Sequence, residues 1–141
     1  MTYFTSTHAN ILGWLLDSEL GSLNGVKCAV LISSDGLLFS RSASLTQEEG
    51  EKLSAMGSGF LAIAREYDNY SDGGGVRQVL VELDAHICLI GQAGTNMLLM
   101  VETSGPDADV ATIAQQMAAL AQRVGHEMAV AGRKPGEAPR T

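Results

Sequence analysis

Residues 76–102 contain three short β-prone runs, VRQVLVEL, HICLIGQ and NMLLMVE, at about 76–83, 86–92 and 96–102. Asp84-Ala85 alone separates the first two, and Ala93-Gly94-Thr95 the last two. Parallel neighbours need a crossover of about a dozen residues, so connections this short dictate an antiparallel meander. The first run places Arg77, Val79, Val81 and Leu83 on one side and Val76, Gln78, Leu80 and Glu82 on the other. Such mixed faces predict an edge strand.

Upstream, VKCAVLIS at 26–33 is nearly all apolar, as a mid-sheet strand buried on both faces would be. Ser34-Asp35-Gly36 follows, then LLFSRS at 37–42. An acidic, glycine-containing turn could hold a phosphate or a metal. Its residue types suit a hairpin better, because Asp bonds its own turn and Gly supplies a positive φ. Ser33 and Ser34 lie near Asp35 but have no neighbouring histidine to act as a base.

Three helices are predicted. In the first, about 8–20, Ile11, Trp14, Leu15 and Ser18 follow helical spacing, with Leu12 and Leu16 widening the apolar side. Thr7 or Asn10 would cap its start, Gly21 would end it in a left-handed conformation, and Asn24-Gly25 would turn the chain. The second, about 46–67, opens with the capping-box pair Thr46 and Glu49. Its stripe Leu53, Met56, Phe60, Ile63 and Tyr67 is expected to dock on the sheet. A second stripe of small residues, Ala55, Ser58, Gly59 and Ala62, lies roughly 120° away and would admit a close partner helix. Gly57 and Gly59 each cost about 1 kcal/mol in a helix, so a compensating contact is expected. DNYSDGGG at 68–75 reads as a polar loop and lacks the GK[ST] ending of a phosphate cradle. The third helix, about 106–130, starts at Gly105-Pro106, with Asp107 and Asp109 favouring its positive end. Val110, Ile113, Met117, Leu120, Val124 and Met128 form its apolar stripe. Residues 1–131 are therefore expected to make one α+β domain, and 132–141, GRKPGEAPRT, a mildly basic disordered tail.

Function classes narrow by exclusion. The net charge is −7 and the nine basic residues are thinly spread, which disfavours nucleic acid and anionic membrane. No apolar run approaches the roughly 18 residues of a membrane span, and MTYFTSTHAN lacks a signal-peptide pattern. A cytoplasmic protein is expected, with any membrane association coming through partners. Cys28 and Cys88 are far apart and read as buried thiols. His8, His86 and His126 fall in three elements without ligand spacing. Glu48, Glu49 and Glu51 suit a helix start, so they need no catalytic role. No nucleophile elbow or dinucleotide fingerprint occurs. No catalytic, cofactor-binding or metal-binding residue is assigned.

The segments GVKCAVLISSDGLLFS and GGGVRQVLVELD, with this element order, resemble the Roadblock/dynein light chain family. Within it the chain is similar to bacterial members encoded beside a small Ras-like GTPase and a sensor-kinase-like protein. The resemblance covers about residues 8–130, with Ala85 standing where the group often has glycine. It implies a five-stranded antiparallel sheet of order 2-1-5-4-3 in an α-β-β-α-β-β-β-α chain, with the second helix on one face and the others opposite. It also implies a homodimer joined through third strands and second helices, here Ala55, Ser58, Gly59, Ala62, Arg77, Val79 and Val81. The implied function is regulation of a small Ras-like GTPase, extending to GTPase activation without catalytic residues of its own. Lys52, Leu61 and Arg65 are the expected GTPase contacts. Two alternatives stand beside it: a scaffold recruiting a sensor-kinase-like protein, and a small-ligand sensor with a cavity between sheet and helix.

Overall fold

The computed structural model describes residues 12–94 and 96–131, without the side chains of 128–131. The expected helix start at 8–11 with its caps, His8 and the 132–141 tail lie outside the described residues. In the described part, helix α1 comprises residues 12–21, α-helical at first and π-helical over Leu16–Gly21. Then follow β1 (Val26–Ser33), β2 (Leu38–Arg41), α2 (Gln47–Ser71), β3 (Gln78–Glu82), β4 (Ile87–Gln92), β5 (Met97–Thr103) and α3 (Val110–Ala131).

The strands form one sheet of order β2-β1-β5-β4-β3, every neighbouring pair antiparallel. β3 stands at an edge, as its mixed faces predict. β1 and β5 are central, and their side chains from Cys28 to Ile32 and from Met97 to Val101 are buried. The turn after β1 is a corner: Gly36 has φ +83°, its N–H donates to the Ser33 carbonyl, and the Ser33 hydroxyl bonds Asp35.

The sheet separates two apolar layers. On one face Ala29, Leu31, Leu89, Leu99 and Val101 pack with α1 and α3, which contribute Leu12, Leu16, Leu20, Ile113, Met117 and Leu120. On the other, Val30, Ile32, Cys88, Ile90, Leu98 and Met100 pack with Leu61 of α2. Hydroxyls take over where the ladder ends. Ser42 Oγ accepts the Ala29 N–H at 2.8 Å and donates to the Ala29 carbonyl at 3.1 Å. Thr103 Oγ1 accepts the Ile87 N–H at 2.8 Å. Both replace a missing strand partner for buried backbone.

Helix boundaries depart from expectation in three places. Gly21 has no positive φ; the left-handed glycine is Gly25, at +93°. α2 runs on to Ser71 and ends at left-handed Asp72, φ 58°, so the polar loop is shorter than 68–75. α3 starts at Val110 rather than at Pro106, which sits in the preceding turn. Asp109 provides its cap, with Oδ1 accepting the Thr112 N–H at 3.1 Å. A side-chain acceptor for a free helix amide outweighed the permissive proline.

The largest correction concerns α2. Its buried residues are Gly50, Ser54, Gly57 and Leu61, spaced four, three and four apart on one helical face. Most of the stripe expected to dock on the sheet is turned outward: Met56, Phe60, Ile63 and Tyr67 are exposed, while Leu53 is half-buried against the core as expected. The cause is how closely α2 approaches the sheet. A Cβ on Gly57 would lie 2.9 Å from Ile32 Cδ1 and 3.0 Å from Met100 Sδ. A Cβ on Gly50 would lie 2.8 Å from Leu38 Cδ2. The sheet, not a partner helix, therefore accounts for Gly57. Overpacking a filled core typically costs about 1–3 kcal/mol. Gly57→Leu should thus lower stability by at least that much in urea denaturation. Gly59, with nothing within 4 Å of its missing Cβ, should tolerate alanine with a gain of up to about 1 kcal/mol.

Candidate functional site, an open sheet edge and helix flank

Three sides of α2 can now be distinguished. The first, Gly50 to Leu61, lies on the sheet. Leu61 is 2 % exposed and packs with the core on this face, so its expected role as an outward GTPase contact is withdrawn. The second side abuts the β1–β2 turn: a Cβ on Gly36 would lie 3.2 Å from Ser58 Oγ. Ser58 is accordingly half-buried, and its hydroxyl is the described buried side-chain polar atom without a hydrogen-bond partner. The third side, opposite Ser58 by helical geometry at about 100° per residue, carries Met56, Phe60, Ile63 and Tyr67. Their exposure reaches 71 % at Ile63 and 69 % at Tyr67. Ala55, Gly59 and Ala62 are exposed on the solvent side of the helix, between the Ser58 side and this flank.

α2 touches β1, β2 and β5 along its length and reaches β3 more weakly. Opposite Ser58, its flank therefore overlooks the β4–β3 side of the sheet. There Val79 and Val81 are half-buried, Leu83 is 49 % exposed, and Arg77 stands in solvent. Among the described residues, β3 is hydrogen-bonded on one side only, to β4. An apolar helix flank and an unpaired strand edge thus adjoin. Isolated surface hydrophobics are ordinary, but a contiguous group beside an open edge marks an association surface. Lys52 and Arg65 are exposed on α2, Lys52 within 3.5 Å of Glu48 one turn back.

The capping box that begins α2 is complete. Glu49 N–H donates to Thr46 Oγ1 at 3.1 Å, and Thr46 N–H donates to Glu49 Oε1 at 2.8 Å. These bonds, the Thr46 backbone first, hold the Glu49 carboxyl below its ordinary pKa. Ser33 does the same for Asp35, and Thr112 for Asp109.

Reactive chemistry is sparse. Cys28 and Cys88 flank Glu102 in register, one on each neighbouring strand. Two strand spacings, roughly 9.6 Å, exceed the roughly 7 Å that a disulfide tolerates between Cα atoms. Glu102 lies 3.4 Å from Lys27 Nζ and 3.8 Å from His86 Nε2. Burial, and next the charge of Glu102, push both thiols up to about 11. His126 lies exposed on α3. Among the described residues, no three His, Cys, Asp or Glu side chains are grouped to hold a metal ion. A concavity of about 450 Å³ opens between the 23–25 turn and the start of α3, lined in part by Asp107, Asp109 and Thr112. It lies at the surface rather than between sheet and helix. No described helix is long and apolar enough to cross a membrane.

The number of large apolar residues on the Met56–Tyr67 stripe favours burying it, and this masks the outward flank. The signal that could have found it is the 4-3-4 spacing of Gly50, Ser54, Gly57 and Leu61.

An antiparallel sheet between two helical layers, with an open edge beside an apolar helix, defines a small α+β interaction module. The chain belongs to the Roadblock/LC7 domain family, whose model matches residues 12–103. It is similar to a Roadblock/LC7 domain from Streptomyces avermitilis, at 34 % identity and TM-score 0.74, over 79 % of this chain and 92 % of that one. It also shares its fold with MglB from Myxococcus xanthus, at 11 % identity and TM-score 0.79, over 94 % of this chain and 98 % of that one. The gliding protein MglB from Thermus thermophilus is similar at 11 % identity and TM-score 0.77, over 92 % and 96 % of the two chains. No curated protein matches the chain.

A thiol moved from 9.0 to about 11 holds about 100-fold less thiolate at a given pH. Native Cys28 and Cys88 should therefore react with a disulfide reagent at pH 8 at least that much more slowly than in the denatured chain. Because both pKa values are raised by folding, their contribution to stability is complete below about pH 9 and is lost as pH rises through about 11. Alkaline denaturation should move to higher pH in a Cys28→Ala, Cys88→Ala double variant.

Proposed function

We infer that this chain acts as a homodimeric regulator or adaptor that binds a small Ras-like GTPase and modulates its nucleotide cycle. The observation that carries this reading is the apolar flank of α2 lying beside the unpaired edge of β3. A two-fold axis there would bring two β3 strands together edge to edge and set the two α2 flanks against each other. An isologous contact of this kind uses one patch twice, and it removes the edge hazard in both copies. Val79, Val81 and Arg77 would lie at the strand seam. Met56, Phe60 and Ile63 would join Ala55, Gly59 and Ala62 at the helix seam. Ser58 would stand at the margin, since it faces the β1–β2 turn.

Support for self-association comes also from a fold relative described as MglB with a tetrameric arrangement, 13 % identical. The GTPase assignment rests on the family and on the segments GVKCAVLISSDGLLFS and GGGVRQVLVELD. Lys52 and Arg65 remain exposed on α2 and are the proposed GTPase contacts. The protein would act on the GTPase's own switch loops, and Arg65 would position rather than catalyse. A GTPase encoded near this chain is the first partner to test.

Burying a charge at the centre of a packed interface costs at least about 2.8 kcal/mol, a 100-fold loss of affinity. Ile63→Asp should therefore weaken the dimer at least 100-fold in sedimentation equilibrium while leaving the fold intact by circular dichroism. Arg65→Ala should keep the dimer and weaken GTPase binding about tenfold, as expected for a rim charge-assisted contact. Turnover measured with the GTP-loaded partner separates an activator, which raises hydrolysis, from a scaffold, which binds without changing it. Absence of binding in every nucleotide state would defeat the reading.

A further inference from the structure

The ladder between β3 and β4 fixes which backbone groups of β3 point away from the sheet. The Leu83 N–H donates to the His86 carbonyl at 2.9 Å. The pairing behind it is regular, with Val81 opposite Cys88 and Val79 opposite Ile90. In an antiparallel ladder the hydrogen-bonded pairs recur at every second residue. Val79, Val81 and Leu83 therefore direct their amides and carbonyls at β4. Those of Gln78, Leu80 and Glu82 point outward.

The side chains of the outward residues complete the pattern. Val79 and Val81 pack on the α2 side, so Gln78, Leu80 and Glu82 lie on the α3 face. All three are exposed, Leu80 by 47 %. Gln78 stands opposite Gly91, which gives it no side-chain neighbour across the ladder. Among the described residues, neither the Gln78 amide nor the Glu82 carboxylate is engaged by a hydrogen bond or an ion pair.

We propose that two copies of this chain pair their β3 strands in one register, with the two-fold axis at Leu80 and the Gln78 amide of each copy donating to the partner's Glu82. The proposal rests on the dimer reading above and specifies the seam which that reading leaves open. A two-fold axis perpendicular to the sheet keeps both α2 helices on one side, so only residues of the same face can stand opposite each other. Centring on Leu80 sets Gln78 against the partner's Glu82, and Val79 against the partner's Val81. In this register every outward amide and carbonyl from Gln78 to Glu82 finds a strand partner. Leu80 meets the partner's Leu80 on the axis, and the Arg77 stem covers the partner's Leu83.

The neighbouring registers are poorer. A shift of two residues one way sets Gln78 against the partner's Leu80. The same shift the other way sets Glu82 against the partner's Leu80, and one step further brings the two Glu82 carboxylates face to face. At the Leu80 register those carboxylates lie about 13 Å apart along the strands, beyond a Debye length of about 8 Å. The chain carries a net charge of −7, so a seam between copies must keep like charges apart. Gln78 meets a carboxylate with a charge-assisted bond and adds no charge of its own. The same pair sets specificity, because a strand with an acid in place of Gln78 is turned away.

Only a residue on the axis faces its own copy, so single cysteines read the register. Val79→Cys, Leu80→Cys and Val81→Cys are compared in the full chain with diamide as oxidant; the native thiols are buried. Leu80→Cys should give a covalent dimer, since hydrogen-bonded pairs hold their Cα atoms about 5.5 Å apart, within disulfide reach. The other two should cross-link at least tenfold more slowly. Faster cross-linking through Val79→Cys or Val81→Cys would overturn the register and leave the dimer reading standing. Gln78→Glu should weaken the dimer about tenfold in sedimentation equilibrium, and Glu82→Lys added to the same chain should restore it. Independent effects of the two substitutions would overturn the pairing. An unaltered chain that sediments as a monomer would defeat the dimer reading itself, and the register with it.

Discussion

Helix α2 reaches the sheet through residues too small to hold it away. Gly50, Ser54 and Gly57 let its backbone settle onto β1, β2 and β5, and Leu61 joins the apolar layer of Val30, Ile32, Ile90 and Met100. Much else follows from this contact. Because the seat is narrow, the large apolar side chains have no room beneath the helix and emerge on its flank. Because α2 sits toward β2 and β1, the β4–β3 margin is left partly bare. The exposed apolar surface is thus not leftover hydrophobicity. It results from packing one helix at close range on a five-stranded sheet.

Much of the architecture was legible because it depends on local chemistry. Two- and three-residue connections force antiparallel pairing wherever they occur. Ser34-Asp35-Gly36 supplies its own acceptor and positive φ, and Thr46 with Glu49 closes a box over four residues. The rotation of α2 was not legible in that way. The apolar pattern offers two faces, and the number of large side chains favours the wrong one. Only the distance between helix and sheet decides between them, and that distance depends on Ile32 and Met100, remote in sequence. Leu61 was misplaced for the same reason: taken alone it lies off both stripes, and it reads as buried only once the small residues around it are recognised as the seat. At α3, the proline signal was weaker than the Asp109–Thr112 pairing three residues later.

The displaced ionisations belong to groups that hold the framework together. The carboxylates with displaced pKa values, Asp35, Glu49 and Asp109, bond to nearby turn or cap groups in solvent. The displaced thiols are pushed toward the protonated form, away from nucleophilicity. Glu102, set between Cys28 and Cys88, draws Lys27 and His86 over the end of the central strands, closing them with charge instead of extending the apolar layer. These groups organise the framework of strand ends, turns and helix caps.

The Thr46–Glu49 box has a consequence for how such a chain can change over time. It anchors the first turn of α2 and so sets the angular phase of the following 25 residues. A single-residue insertion between the box and Gly57 would wind the distal helix by about 100°, swinging the bulky flank under the helix and lifting the seat off the sheet. Length variation is therefore tolerable before Thr46 or after Asp72 but not between them. A lineage free to redecorate the outward flank with new side chains, and so to change partners, must keep the count of residues behind it constant.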